Sequence, residues 1–383
     1  PRPRLGRCLF HHCVPSSACS VLCIRQLGDV DGITHECCRA AATAVLLRLR
    51  SQSTWSARTG TQQPQSQRIP PASRFSTRRR RRAARSIIAS DRCAGSRAWP
   101  SVSMDPSGVD FGLLEYDAWG DVGVTAAYDS GFGPLTRQAI PVLMAAVQTA
   151  ADNGSRQLNV LDVATGPGYV AAAAAAQGHN VVGLDCSEEF LRMAAATCQQ
   201  YVGASVQLVK GDAQALQFDE GSFDSVLCSF GVLHLPEPQA FFKEAFRVLR
   251  PGGILAFTVW QAPPATAGFD MCLRAVKDQG NPNVPLPAGP SFFLYADPQV
   301  SREHLSAAGF THAVSTQVPM TLNLENEQHM FRILQEGTAR TRALLNAQTA
   351  EDLKKIELQV SQDCRATNLQ LPMPCVLVTA KKP

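Results

Sequence analysis

The chain has 383 residues, of which 45% are hydrophobic and 18% charged, and its formal net charge is +4. Residues 1–103 hold 18 of the 36 basic and 4 of the 32 acidic residues, which leaves a balance of −10 for residues 104–383. Because an acidic body does not attract nucleic acid or anionic lipid, we expect a small-molecule partner. No apolar run in the sequence reaches the roughly 18 to 20 residues that a membrane-spanning helix needs.

Residues 1–103 are rich in Arg, Ser and Pro and lack apolar periodicity, so we expect this extension to be disordered. The run Arg78 to Arg82 has the acid-poor character of a chloroplast or mitochondrial transit peptide. Two alternatives stay open: an untranslated segment before Met104, which would leave a cytoplasmic protein, and an arm that binds nucleic acid. The cysteines of the extension lack zinc-ligand spacing, so no metal site is predicted.

We expect residues 104–383 to form one domain, with helical segments at 104–155 and 325–366 that cap a ligand crevice. Residues 139 to 151 carry aliphatic side chains at three- and four-residue spacing, the pattern of an amphipathic helix. Tyr128 precedes a turn that contains two glycines, and it is a candidate to reach the crevice. The alternative is a Tyr128 that packs beneath the sheet.

An apolar strand over residues 158–163 runs into a turn that contains Gly166 and Gly168. Glycine lets the backbone adopt turn geometry and approach a ligand closely. The pattern Gly166-x-Gly168-x-x-Ala171 also fits the dinucleotide fingerprint. Asp162, however, stands before the glycines, where its charge would repel a pyrophosphate and favour a cation such as the ammonium or sulfonium of S-adenosylmethionine.

The middle of the chain alternates strands and helices with short connections. Strands are predicted at 181–185, 205–210, 223–229 and 254–260, and helices at 169–176, 188–201 and 237–250, with a Pro-Gly-Gly turn at 251–253 before the last of these strands. Two further strands are predicted at 311–324 and 376–380. This alternation predicts an α/β fold with a doubly wound, mostly parallel sheet.

Three carboxylates follow three consecutive strands: Asp162, Asp185 and Asp212. The carboxyl ends of parallel strands line the ligand crevice of such folds. We expect Asp185 to accept hydrogen bonds from a pair of ribose hydroxyls. Asp212 would accept a hydrogen bond from the adenine amine, and the N–H of Ala213 would face the edge of the adenine ring. Together, the three carboxylates predict a site for a nucleoside that carries no phosphate groups.

The motifs LDVATGPG (161–168), VVGLD (181–185), VKGDAQALQF (209–218), FDSVLCSFGVLHL (223–235) and RVLRPGGILAFTVW (247–260) resemble those of class I S-adenosylmethionine-dependent methyltransferases. Within that class, the chain is similar to the ubiquinone/menaquinone biosynthesis methyltransferases (methyltransferase type 11 domain). The resemblance implies a Rossmann-like, seven-stranded sheet whose last strand is antiparallel. It also implies contacts to S-adenosyl-L-methionine at Asp162, Ala164, Gly166, Gly168, Asp185, Asp212, Ala213 and Phe230.

We therefore expect methyl transfer to a small-molecule acceptor by in-line displacement, which requires no metal. His234 is the candidate general base for a hydroxyl acceptor, and the alternative is a hydrogen-bonded wall residue. An apolar acceptor pocket has four aromatic candidates, for each of which core packing is the alternative: Trp260, Phe292, Phe293 and Tyr295. An NAD-dependent oxidoreductase and a catalytically silent cofactor-binding protein are the alternative functions.

Overall fold

The computed structural model describes residues 110–150, 156–202 and 206–383. The extension 1–103, with its predicted disorder, lies outside the described residues. The strands are β1 Asn159–Val163, β2 Asn180–Asp185, β3 Gln207–Lys210, β4 Phe223–Ser229, β5 Leu249–Trp260, β6 Thr311–Val318, β7 Thr321–Asn323, β8 Gln370–Pro372 and β9 Cys375–Lys381.

Seven of these strands form one sheet in the order β3-β2-β1-β4-β5-β9-β6. Strands β1 to β5 pair in parallel, and β9 pairs antiparallel with both β5 and β6. The strand order reverses between β1 and β4, so a crevice opens there at the carboxyl ends of the strands. The predicted α/β fold with a mostly parallel, seven-stranded sheet is confirmed.

The helices lie between and around the strands. Their bounds are α1 Phe111–Gly120, α2 Val122–Gly131, α3 Gly133–Thr136, α4 Ile140–Ala150, α5 Tyr169–Ala176, α6 Glu188–Val202, α7 Pro238–Val248, α8 Ala267–Gln279, α9 Pro298–Ala307, α10 His329–Glu336, α11 Arg340–Asn346 and α12 Ala350–Ala366. Short 3-10 turns cover Arg137–Ala139, Val232–His234 and Leu294–Ala296. No helix in the described part of the chain is long and apolar enough to cross a membrane.

Apolar side chains of β1 alternate between the two faces of the sheet. Val160 packs with α4 residues such as Leu143, whereas Leu161 and Val163 belong to the cluster that contains Phe242 of α7. This period of two is the geometry of a strand that is buried on both faces. Burial on both faces explains why residues 158–163 are almost continuously apolar. The same packing holds β1 in position, and with it the start of the turn that follows.

The single strand predicted over residues 311–324 is wrong, because the structure divides this stretch into β6 and β7. β6 is in the main sheet, whereas β7 pairs with β8 in a separate two-stranded sheet. Pro319 stands between the two strands. Proline has no N–H for the ladder, so the stretch cannot continue as one paired strand.

The turn predicted at residues 251–253 is part of β5 instead. β5 begins at Leu249, and its pairing with β4 shifts register between Phe223 and Ser225. Gly252 has a φ of +80° in this irregular stretch. The glycine therefore allows the bend that the register shift between β4 and β5 requires.

Helices α2 and α10 pack closely enough that glycine is required at their contact. A Cβ at Gly131 would approach Ile333 Cγ1 at 2.6 Å, and a Cβ at Gly337 would approach the Tyr128 nitrogen at 2.7 Å. The early and late helical segments are thereby in direct contact. Both contribute residues to the pockets described below.

Candidate functional site

The turn after β1 has left-handed backbone at three positions. The φ angle is +52° at Ala164, +52° at Gly166 and +82° at Gly168. A Cβ at Gly166 would have no heavy atom within 4 Å, whereas a Cβ at Gly168 would lie 2.8 Å from Cα of Ala194 in α6. Gly166 therefore leaves open space for a ligand, while Gly168 allows α6 to pack on the turn.

Asp185 at the end of β2 is tied to that turn. Its Oδ2 accepts a hydrogen bond of 2.8 Å from the Gly166 N–H, and its Oδ1 accepts one of 2.9 Å from the Ser187 N–H. The residue is only 6% exposed, and burial raises the pKa of its carboxyl. Each carboxylate oxygen has a further lone pair, so the group can still accept hydrogen bonds from a ligand.

Asp162 lies beneath the turn and is 1% exposed. Its Oδ2 accepts a 2.6 Å hydrogen bond from the Thr165 hydroxyl, while its Oδ1 is buried without a hydrogen-bond partner among the described residues. Burial raises the pKa of this carboxyl from its ordinary value of 3.8 to about 7. Asp162 thus supports the turn from below, and it does not line the pockets that adjoin the turn.

Asp212 and Ala213 follow β3, which is an edge strand of the main sheet. Asp212 Oδ1 accepts a 2.8 Å hydrogen bond from the N–H of Gln214, and Ala213 is buried. Neither is among the residues that line the pockets described below, nor is Gly168. Their roles in cofactor binding stay predictions.

The main pocket in the crevice, here called the crevice pocket, lies at the carboxyl ends of β1, β2 and β4. It brings together five of the predicted site residues, the candidate Tyr128 and several residues that were not predicted. Its lining residues are Ala164, Gly166, Asp185, Phe230 and His234, together with Gly112, Glu115, Tyr116, Trp119, Tyr128, Cys186, Phe190, Ser229, Gly231, Leu235 and Pro236. Among the described residues that line it there are two carboxylates, Asp185 and Glu115, and no Lys or Arg.

Glu115 on α1 is a site residue that the sequence did not reveal. It is 3% exposed, and its Oε2 lies 2.9 Å from both Trp119 Nε1 and His234 Nδ1. The indole can only donate, and a carboxylate accepts from His234 when Nδ1 carries the hydrogen. That tautomer leaves Nε2 as a hydrogen-bond acceptor. The sequence signal was weak, because Glu115 precedes His234 by 119 residues.

Tyr128 on α2 lines all three pockets of the site. Its ring meets the Trp119 ring edge to face, with 5.5 Å between the centroids. Burial raises the pKa of the phenol to about 12, so the hydroxyl stays protonated at neutral pH. Tyr128 therefore reaches the crevice, as one of the two alternatives predicted, and does not pack beneath the sheet.

A second pocket, here called the aromatic pocket, adjoins the crevice pocket. Seven of its thirteen lining residues are Phe, Tyr or Trp, and the full set is Trp119, Tyr128, Phe132, Phe230, His234, Trp260, Phe269, Phe292, Gly337, Thr338, Ala339, Arg340 and Thr341. Trp260 and Phe292, both candidates from the sequence, line it. The other two candidates do not: Phe293 packs on Phe269, and Tyr295 packs on Phe242.

A third pocket, here called the turn pocket, lies on the other side of the glycine turn. It is lined by Tyr128, Thr136, Arg137, Ile140, Ala164, Thr165, Gly166, Pro167, Tyr169, Val170 and Ser229. Arg137 is its charged residue, and the guanidinium carbon lies 4.6 Å from the centroid of the Tyr169 ring. This pocket therefore offers a cation beside the open backbone at Gly166. In the described residues, no group of three or more His, Cys, Asp or Glu side chains could hold a metal ion.

Comparison with known proteins locates a methyltransferase segment within this fold. Residues 161–257 match the family described as a methyltransferase domain. The methyltransferase domain that the motifs predicted is thereby confirmed for this segment.

Two curated relatives and one solved structure illustrate the likeness. The chain is 38% identical to the demethylmenaquinone methyltransferase of Clavibacter sepedonicus over 121 residues, which are 30% of this chain and 48% of the relative. It is 32% identical to an uncharacterized methyltransferase of Mycolicibacterium vanbaalenii over 140 residues, or 36% of this chain and 54% of the relative. The chain thus spans about half the length of these relatives.

The solved structure is that of Haemonchus contortus phosphoethanolamine N-methyltransferase 2 in complex with phosphomonomethylethanolamine and S-adenosylhomocysteine. Its sequence is 18% identical to this chain, and the TM-score is 0.44. The likeness covers 73% of this chain and 61% of that one. A TM-score at this level carries no conclusion about this chain.

Proposed function

We propose that this protein binds S-adenosylmethionine in the crevice pocket and transfers its methyl group to a small-molecule acceptor in the aromatic pocket. The observation that carries the proposal is the charge of the crevice pocket. Asp185 and Glu115 line it, and none of its described lining residues is a Lys or Arg. A nucleoside with a cationic amino-acid end suits carboxylates, whereas a dinucleotide pyrophosphate needs N–H donors or cations.

The residues around the turn fit the parts of this cofactor. Asp185 keeps lone pairs directed at the crevice and is suited to a pair of ribose hydroxyls. Arg137, across the turn at Gly166, is suited to the carboxylate of the amino-acid end. The open space over Gly166 allows a ligand to approach the backbone between these two groups.

The contribution of the protein to the reaction is mainly geometric. When bound, S-adenosylmethionine supplies an electrophilic methyl group. The aromatic walls exclude water and hold an acceptor beside the crevice pocket, because Trp119, Tyr128 and Phe230 line both pockets. Positioning of this kind lowers the entropic barrier of a displacement reaction.

Calorimetry on the full chain tests the cofactor assignment. We expect S-adenosylmethionine and S-adenosylhomocysteine to bind, and NAD not to bind. Tight binding of NAD without a response to S-adenosylmethionine would support the oxidoreductase alternative and overturn the proposal.

A second experiment tests the reaction itself. The full chain is incubated with isotopically labelled S-adenosylmethionine and a metabolite extract, and labelled products are detected by mass spectrometry. We expect label in a small molecule. Cofactor binding without transfer to any metabolite would instead favour a catalytically silent protein.

A further inference from the structure

The aromatic pocket has the composition of a site for an aromatic ring. Its walls include Trp260, Phe269 and Phe292, and it shares Trp119 and His234 with the crevice pocket. Aromatic side chains bind a ring through stacked and edge-to-face contacts. A ring in this pocket would therefore have His234 at its border with the crevice pocket.

Arg340 gives the aromatic pocket a positive charge. Its Nη1 donates a 2.9 Å hydrogen bond to the Pro290 carbonyl, and its guanidinium carbon lies 5.1 Å from the centroid of the Phe111 ring. Burial lowers the pKa of this guanidinium, and the charge of Glu115 partly offsets that effect. No Asp or Glu is among the described lining residues of the aromatic pocket. A partly buried cation is stabilised by an anion, so the pocket suits a ligand with negative charge.

Glu115 determines how His234 faces this ligand. With Nδ1 donating to Glu115 Oε2 at 2.9 Å, the other ring nitrogen, Nε2, has no hydrogen-bond partner in the described ranges, and the residue borders both pockets. The 2.9 Å contact between His234 Nδ1 and Glu115 Oε2 has the geometry of an ion pair whenever the imidazole carries both protons. Glu115 is thus placed to act as a positioning residue and His234 as a general base.

We infer that the acceptor is a hydroxylated aromatic carboxylate, whose ring lies in the aromatic pocket, whose carboxylate faces Arg340 and whose hydroxyl is methylated on oxygen with His234 as the base. This inference rests on the proposed function and specifies its substrate class. The hydroxyl proton moves to His234 Nε2. The hydroxyl oxygen forms a bond to the methyl carbon as the sulfur–carbon bond breaks, and that electron pair stays on sulfur. The positive charge passes from sulfur to the imidazole, which releases its proton to solvent.

Binding of acid and ester pairs tests the role of Arg340. The full chain with S-adenosylhomocysteine is titrated with hydroxycinnamates and hydroxynaphthoates and with their methyl esters, and tryptophan fluorescence reports binding. We expect at least one acid to bind about 10-fold or more tightly than its ester, because the ester cannot form the charge-assisted hydrogen bond with Arg340. Arg340→Gln should abolish the difference, and Arg342→Gln, on the same helix but outside the pocket, should keep it. Equal affinity for every acid and its ester would overturn the inference.

The base is tested by kinetics and by NMR. For an acid that binds, His234→Gln should lower kcat about 100-fold or more with little change in KM, since a general base contributes about 10² to 10⁴ in rate. Glu115→Gln should lower kcat in the same way but less. In the wild-type chain without cofactor, ¹⁵N spectra should show the hydrogen of His234 on Nδ1. A hydrogen on Nε2, or an unchanged kcat in His234→Gln, would overturn the role of His234.

The position of the methyl group separates this inference from the proposed function. We expect mass spectrometry and NMR of the product to locate the new methyl group on oxygen. Transfer to a ring carbon, or only to acceptors without a carboxylate, would overturn the inference and leave the methyltransferase proposal intact. Failure of S-adenosylmethionine to bind in calorimetry would overturn the proposed function itself.

Discussion

The N–H of Gly166 donates a 2.8 Å hydrogen bond to Oδ2 of Asp185, and this bond links the turn after β1 to the end of β2. The sequence predicted each residue separately as a contact for a cofactor. The structure shows that they also hold each other in place. Asp185 therefore has two roles, because it fixes the glycine turn and still faces the crevice pocket.

The first prediction concerns Asp185→Asn. We expect the dissociation constant for S-adenosylmethionine to rise at least about 10-fold, because a charge-assisted hydrogen bond contributes about 1.5 to 3 kcal/mol. Calorimetry measures the change, and thermal unfolding shows whether the domain stays folded. Asp278→Asn, at an exposed site on α8, is the matched control and should bind normally. An unchanged affinity in Asp185→Asn would show that this carboxylate does not contact the cofactor.

The second prediction compares Gly166→Ala with Gly168→Ala. Both positions have positive φ, so alanine at either should cost about 1 to 2 kcal/mol in left-handed backbone. At Gly168 the new Cβ would also approach Cα of Ala194 at 2.8 Å, which adds an overpacking cost of about 1 to 3 kcal/mol. Urea unfolding should therefore show the larger loss in Gly168→Ala.

A calorimetric measurement completes the comparison. Gly166→Ala places a methyl group over the open side of the turn, so it should weaken cofactor binding although it destabilises the fold less. Equal stability of the two variants would mean that α6 moves aside without cost. Normal cofactor affinity in Gly166→Ala would mean that the ligand does not approach this backbone.

The third prediction concerns the pH dependence of stability. Because the pKa of Asp162 is raised from 3.8 to about 7, the folded state binds this proton more tightly than the unfolded state does. The contribution to stability is fully present below about pH 4 and is lost as the pH rises through about 7. Asp162→Asn removes the titrating group, so its free energy of unfolding should fall less than that of the wild type between pH 4 and pH 7.

Chemical denaturation at a series of pH values checks this prediction. The buried carboxyl of Asp185, whose pKa is also raised, is present in both proteins, so its titration contributes to both curves. The Asp278→Asn control should follow the wild type. Parallel curves for Asp162→Asn and the wild type would show that Asp162 does not titrate in this range.

The fourth prediction concerns residues 1–103, which we propose to be a transit peptide. Truncation to Met104 should leave the melting temperature and the affinity for S-adenosylmethionine nearly unchanged, because long-range attraction between the basic extension and the acidic body is screened at physiological salt. A loss of several degrees on truncation would contradict this. A fluorescent fusion of residues 1–103 should enter an organelle, and a diffuse cytosolic signal would count against the transit peptide.

Most of the sheet could be predicted from the sequence because its signals are local. The nearly continuous apolar run of β1 and the glycines of the turn each follow from the conformations that those residues permit. The helix predicted at 169–176 has the same bounds as α5. Asp185 could be placed at the crevice because the end of a parallel strand is a fixed location in this fold.

The sequence by itself thus determined most of the sheet, the glycine turn and the carboxylate at the end of β2, whereas the tertiary structure decided which distant residues complete the site. Glu115 meets His234 because α1 folds over the crevice, and Arg340 reaches the aromatic pocket from α11. These contacts join residues far apart in the chain, and a Glu or Arg on a helix has no local pattern that distinguishes a buried partner from a solvated one. Local conformational preference therefore predicts the elements, but only their packing brings the charged groups of the site together.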